Sequence, residues 1–202
     1  MKKQRTKSPL FPILSILFAT LLAAVIPTEA EGAIYADTLR VHILANSDEE
    51  IDQDLKIKIR NRILEKYSSV LVGVEDMETA RAIISERTEN IREDVDSWIL
   101  EEGFSYTSTV ELGCEWYDTR EYESFTLPAG YYTSLRVILG EGEGKNWWCV
   151  MFPPLCLDIA TSAKAPEYSA AEEKLIGRGK YSVKFKLLEL CEEAVSKFSK
   201  RG

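Results

Sequence analysis

Six consecutive apolar residues, Trp147-Trp148-Cys149-Val150-Met151-Phe152, stand between the turn-forming Gly144-Lys145-Asn146 and the pair Pro153-Pro154. A run this short, with this many strand-favouring side chains, predicts a β-strand. The prolines end it because they cannot donate to a ladder. Side chains alternate across a strand, so Trp147, Cys149 and Met151 are predicted on one face and Trp148, Val150 and Phe152 on the other. Both faces are apolar, so the strand needs cover on both sides and belongs inside a fold. Its entrance, at Lys145, Asn146 and Trp147, combines a cation, an amide and an aromatic edge, the composition of a recognition rim.

The rest of the chain supplies the cover. Thr38 to Ala45 predicts a first strand, with Leu39, Val41, Ile43 and Ala45 on one face and Arg40 and His42 on the other. Asn46-Ser47-Asp48 stops it, and Ser47 and Glu50 have the spacing of a capping box. Ile51, Leu55, Ile59, Ile63, Tyr67 and Val70 recur at helical spacing and predict a helix over residues 51–71, broken by Gly73. Met77, Ala80, Ile84, Thr88, Ile91, Val95 and Trp98 form a second helical stripe, with Gly103 as its C-terminal cap. Tyr106 to Leu112 alternates as a half-exposed strand, residues 114–129 are turn-rich, and Gly130 to Gly140 is a further strand. The short polar connection Glu141 to Lys145 predicts an antiparallel hairpin joining that strand to Trp147–Phe152. Phe185, Leu188, Cys191, Val195 and Phe198 predict a last amphipathic helix. The sum is an α+β domain: an antiparallel or mixed sheet with amphipathic helices packed on one face.

The N-terminus has the layout of an export signal. Lys2, Lys3, Arg5 and Lys7 precede Leu10–Ile26, which carries no charge, and Pro27-Thr28-Glu29-Ala30 offers small residues for cleavage. Residues 1–30 are thus a signal peptide, or a signal anchor if uncleaved, and residues 31–202 form one extracytoplasmic domain. Residues 1–30 hold four cations and Glu29. Without them 21 Lys and Arg face 32 Asp and Glu, a net charge of −11. That surface argues against nucleic acid and anionic lipid as partners.

Chemistry is sparse. One histidine, His42, and four cysteines without CxxC or HExxH spacing argue against a metal site. No GxSxG, P-loop or dinucleotide turn occurs, and no cofactor or small-molecule substrate is implied. A Cys149–His42 nucleophile pair can be drawn, but Cys149 sits in a strand that reads as buried, where a reactive thiolate is unfavourable. Cys149 and Cys156 flank the Pro-Pro bend at a spacing that permits a disulfide, and burial as two free thiols explains them equally well. Cys191 reads as a buried thiol. The polar residues Arg40, His42, Asn46 and Asp48 form a second candidate contact cluster. These residues point to an exported α+β domain that is not an enzyme.

Two stretches add a resemblance. Leu39-Arg40-Val41-His42-Ile43-Leu44-Ala45-Asn46-Ser47-Asp48, with Asp52-Gln53 and Leu55-Lys56, resembles the N-terminal signature of the stage II sporulation protein R family. Leu127-Pro128-Ala129-Gly130-Tyr131, Leu135-Arg136-Val137 and Gly140-Glu141-Gly142 resemble its central part, and residues 144–156 resemble its most distinctive run. The likeness spans about residues 38–157; the helical tail 158–202 does not match. Cys114 falls where the family has no expected cysteine. The resemblance implies a signalling protein of endospore formation. It would be made in the forespore and exported into the space between forespore and mother cell. There it would activate a membrane-embedded aspartic protease that processes the precursor of a mother-cell sigma factor. The candidate contacts are then Arg40, His42, Asn46, Asp48, Lys145, Asn146 and Trp147. The rival readings are a secreted hydrolase using Cys149 and His42, and a structural protein of the cell envelope.

Overall fold

In the computed structural model the described residues are 14–16, 18–19, 29–122 and 126–153. Most of the predicted signal segment, the predicted last helix, Cys156 and Cys191 lie outside them. The elements run in the order α1 (Glu29–Ala36), β1 (Leu39–Leu44), α2 (Glu50–Ser68), a 3-10 turn (Ser69–Leu71), α3 (Met77–Glu101), β2 (Ser108–Tyr117), β3 (Arg120–Glu121), β4 (Thr126–Leu127), β5 (Gly130–Leu139) and β6 (Asn146–Phe152). Among the described residues no helix is long and apolar enough to cross a membrane.

The main sheet is mixed, with strand order β2-β5-β1-β6. β1 runs parallel to β5 and antiparallel to β6, and β2 runs antiparallel to β5. The expected β5–β6 hairpin therefore does not form. β1 lies between the two strands, with Val41 opposite both Leu135 and Cys149. The reason is burial: Leu39 to Ile43 are buried on both faces, and a strand with no solvent face gains most from a central position. The connection Gly140–Lys145 crosses the end of β1 instead of turning back.

One sheet face carries the main core. Leu39, Val41, Ile43, Leu135, Val137, Cys149 and Met151 meet Leu55, Ile59 and Ile63 of α2 and Ile84, Ile91, Val95 and Ile99 of α3. Each such side chain contributes about 1.5–3 kcal/mol by leaving water. Both helical stripes form as the spacing predicts, with one exception: Ile51 is 60 % exposed, because it lies in the first turn of α2, beyond the sheet edge. The capping box also fails. Ser47 Oγ accepts from Glu49 N at 3.1 Å, one residue short of the helix, and donates to Asp52 at 2.6 Å. Asp76 caps α3 by accepting from Thr79 N at 2.8 Å, and Gly103 ends it at φ +86°, a conformation open to glycine. The strand assigned to residues 106–112 runs on to Tyr117, in ten-residue register with β5, so the first part of the supposed turn region is sheet.

The opposite face is not open to solvent. Helix α1 and the small β3–β4 ribbon lie there, and Ile34, Tyr117, Leu127, Tyr132 and Val150 form a second, aromatic core with Tyr35, Tyr122 and Trp148 at its edge. Helices thus cover both faces, not one. A register shift between Leu39 and Arg40 moves Phe152 off its alternation and into the main core beside Met151. β6 ends at a cis Phe152–Pro153 bond.

Candidate functional site

The loop that ends β1 and the loop that enters β6 close on each other at one edge of the molecule. Glu143 N and Gly144 N donate to the Asn46 and Ala45 carbonyls at 3.1 and 2.9 Å. Asn46 Oδ1 accepts from Glu141 N at 3.0 Å, and Asp48 Oδ1 accepts from Lys145 N at 2.7 Å. The glycines make this closeness available. A Cβ on Gly140, which has φ +55°, would sit 2.2 Å from Asn46 Oδ1; one on Gly144 would sit 2.1 Å from the Ser47 carbonyl oxygen. Beneath the clasp lies Asp52, only 4 % exposed, which accepts from Asn46 Nδ2 (2.8 Å), Ser47 Oγ (2.6 Å) and Tyr106 OH (2.7 Å). Burial pushes the Asp52 carboxyl up, but these hydrogen bonds favour its charged form and leave it below the usual value. Lys56, also buried, donates to the Lys145 carbonyl at 2.8 Å and to Gln53 at 2.6 Å, fixing the second loop to α2.

The clasp presents Lys145, Asn146 and Trp147. Lys145 and Asn146 are exposed, and Trp147 is half-buried, with the Arg60 guanidinium carbon 5.2 Å from its ring centroid. Asn146 pairs with Leu44 and Trp147 with Ile43, so the rim is rooted in the ladder.

Arg40 and His42 lie elsewhere. They share the aromatic face of the sheet, and both are buried. The Arg40 guanidinium stacks 3.7 Å from the Tyr117 ring centroid and donates to Tyr122 OH at 2.9 Å. His42 Nδ1 lies 2.9 and 3.0 Å from the two Glu115 carboxylate oxygens, and its ring stacks on Trp148. Burial raises the Glu115 carboxyl, but the His42 hydrogen bond and charge lower it further, to below its usual range.

A family model described as Stage II sporulation protein R matches residues 35–162, which include both loops of the clasp and the whole described sheet. This chain belongs to the stage II sporulation protein R family. The curated Stage II sporulation protein R of Bacillus subtilis (strain 168) is 33 % identical over 135 residues, covering 66 % of this chain and 60 % of the relative. The chain therefore spans well under two thirds of that relative's length. No solved structure matches.

Of the stretches that carry the resemblance, Leu39–Asp48 supplies one side of the clasp, and Gly140–Gly142 with the start of residues 144–156 supplies the other. Of the seven candidate contacts, the fold brings Asn46, Asp48, Lys145, Asn146 and Trp147 to one place. There Asn46 and Asp48 accept the hydrogen bonds that close the clasp, Asp48 remaining exposed, and Lys145, Asn146 and the half-buried Trp147 form the rim. Arg40 and His42 are internal to the opposite core. The Cys149–His42 pair is not assembled: Cys149 lies opposite Val41 in register and faces the helices, while His42 faces the aromatic layer. Cys149 is moreover disulfide-bonded, and its partner, like Cys156, lies outside the described residues. Among the described residues no group of three His, Cys, Asp or Glu side chains is placed to hold a metal ion. Sequence reasoning missed Asp52, Lys56, Arg60 and Glu115. Asp52 and Lys56 fall within the family signature, but nothing there marked them as the residues that fix the clasp; a local signal was available in two charged residues one turn apart beside the apolar stripe of α2.

Proposed function

We propose that this family member is an activating ligand of endospore formation. The forespore makes and exports it. In the space between forespore and mother cell it engages a membrane-embedded aspartic protease, which then processes the mother-cell sigma factor precursor. The observation that carries this reading is the clasp. Two family stretches about a hundred residues apart fold into one hydrogen-bonded edge, and its exposed product is a rim of a cation, an amide and an aromatic residue. Such a rim suits contact with a protein, since tryptophan and arginine, here Trp147 backed by Arg60, are enriched among the residues that carry binding energy at interfaces. The uncharged Leu10–Ile26 segment behind a basic N-terminus supports export. The hydrolase alternative loses its nucleophile pair to opposite faces of the sheet.

Activation follows from differential affinity. A ligand moves a protease toward its active state only as far as it binds that state better. A rigid rim is suited to this, because little conformational freedom is lost on docking.

The test is reconstitution. The chain, the candidate protease and the sigma precursor are produced together in cells that do not sporulate. Precursor cleavage that depends on this chain is the expected result. Cleavage without it, or none with it, contradicts the proposal. A structural envelope protein would give a phenotype in cells lacking the protease; an activating ligand would not.

A further inference from the structure

We infer that the rim recognises an acidic segment of its partner, with Trp147 as the apolar anchor, Arg60 and Lys145 as the contacting positive charge and buried Lys56 behind them; this deepens the ligand reading above and rests on it. The cations of α2 divide into two sets. Those facing α3 are each matched: Lys58 with Glu102 at 2.5 Å, Arg62 with Glu101 at 2.6 Å and Lys66 with Asp94 at 2.5 Å. Those facing the rim are not. Among the described residues Arg60 donates only to the neutral Asn61 side chain, at 2.9 and 2.7 Å, and Lys56 to an amide and a carbonyl. Lys145 uses its backbone in the clasp, and its side chain forms no ion pair with a described residue. In a chain of net charge −8, Arg60 and Lys145 stand beside a half-buried tryptophan without an ion pair to a described residue, while Asp48, Glu141 and Glu143 are exposed on the same clasp and turn carboxylates to solvent around them.

The groups feel one another. Burial lowers the Lys56 pKa most; the charge of Asp48 raises it, and the charges of Lys145 and then Arg60 lower it again. Asp48 is the one carboxylate drawn in, and one of its oxygens already holds Lys145 N. A carboxylate arriving from outside would relieve the three-way repulsion, and Arg60, stacked on Trp147, keeps donors for it. An acidic segment carrying an apolar side chain matches both features. A basic segment meets the same charge, and an uncharged one leaves the repulsion in place.

Two peptide probes test this, Glu-Glu-Phe-Glu-Glu and Lys-Lys-Phe-Lys-Lys, titrated into the isotope-labelled full chain while the Trp147 indole and the Lys145 and Asn146 amides are followed by NMR. The acidic probe should shift these signals, and the shifts should fade in high salt. The Arg60→Glu/Lys145→Glu double variant should weaken binding about tenfold or more. Arg60→Gln/Lys145→Gln replaces it if the reversal fails to fold. Absence of shifts at Trp147, equal response to the basic probe, or unchanged binding by the double variant would overturn the inference. Neither protease nor precursor enters the titration. A failure here therefore leaves the ligand reading standing, and failed reconstitution beside a successful titration sinks that reading alone.

Discussion

Gly144 shows how much one side chain can decide. The Ser47 carbonyl oxygen occupies the space a methyl group would need, and it belongs to backbone that is itself hydrogen-bonded. Gly144→Ala should therefore destabilise the fold by about 1–3 kcal/mol through overpacking, measured by urea unfolding. Asp52 predicts a pH dependence. Its folded-state pKa lies below the unfolded value, so the charged form is favoured by folding. That contribution is complete above the unfolded pKa of about 4 and is lost as pH falls through the lower folded value. Wild-type unfolding midpoints should fall on acidification below about pH 4, and Asp52→Asn, less stable near neutrality, should show a shallower fall. Glu115 shares the direction and will add to the wild-type slope, so only the difference between the two proteins tests Asp52. An identical slope in both would contradict this account. At this scale the sequence was least legible. The alternation that put Arg40 and His42 on the second face of β1 was correct, but nothing local indicated that α1, Tyr117 and Tyr132 would bury that face.

At the scale of elements, periodicity was a good guide to α2, α3, β1, β5 and β6. Pairing was not. A six-residue link between β5 and β6 satisfies hairpin geometry, and only the two-sided burial of β1, a tertiary property, selects the crossing. The failed capping box has a similar cause: Asp52 competes for Ser47 and draws it away from the Glu50 turn. The helix pair gives a direct comparison of forces. The ion pairs lacing α2 to α3 involve half-exposed or exposed side chains, so Lys58→Ala, Arg62→Ala and Lys66→Ala should each cost about 0–1 kcal/mol. Ile59→Ala and Ile91→Ala empty fully buried space and should each cost about 2–5 kcal/mol. Thermal or urea unfolding separates the two classes. If the ion-pair variants cost as much as the core variants, the sheet face is not what holds these helices.

For the whole molecule, the α+β class was legible, with the sheet left as antiparallel or mixed, and so was the family. The division of the candidate contacts into an exposed rim and a buried aromatic layer was not, because it depends on which strands are neighbours. The disulfide of Cys149 is expected to join Cys156 across the Pro-Pro bend; peptide mapping without reduction should recover residues 149 and 156 in one linked fragment, and linkage to Cys191 would contradict it. On the proposed function, the clasp presents its rim to a protease. Lys145→Ala tests this most directly, because the clasp uses the backbone of Lys145 and not its ammonium group. The variant should unfold within about 0.5 kcal/mol of wild type. In the reconstituted system, the rate of sigma-precursor cleavage at limiting ligand should fall about fivefold or more, as loss of a complementary charge at an interface does. Equal stability with an unchanged cleavage rate would place the contact elsewhere.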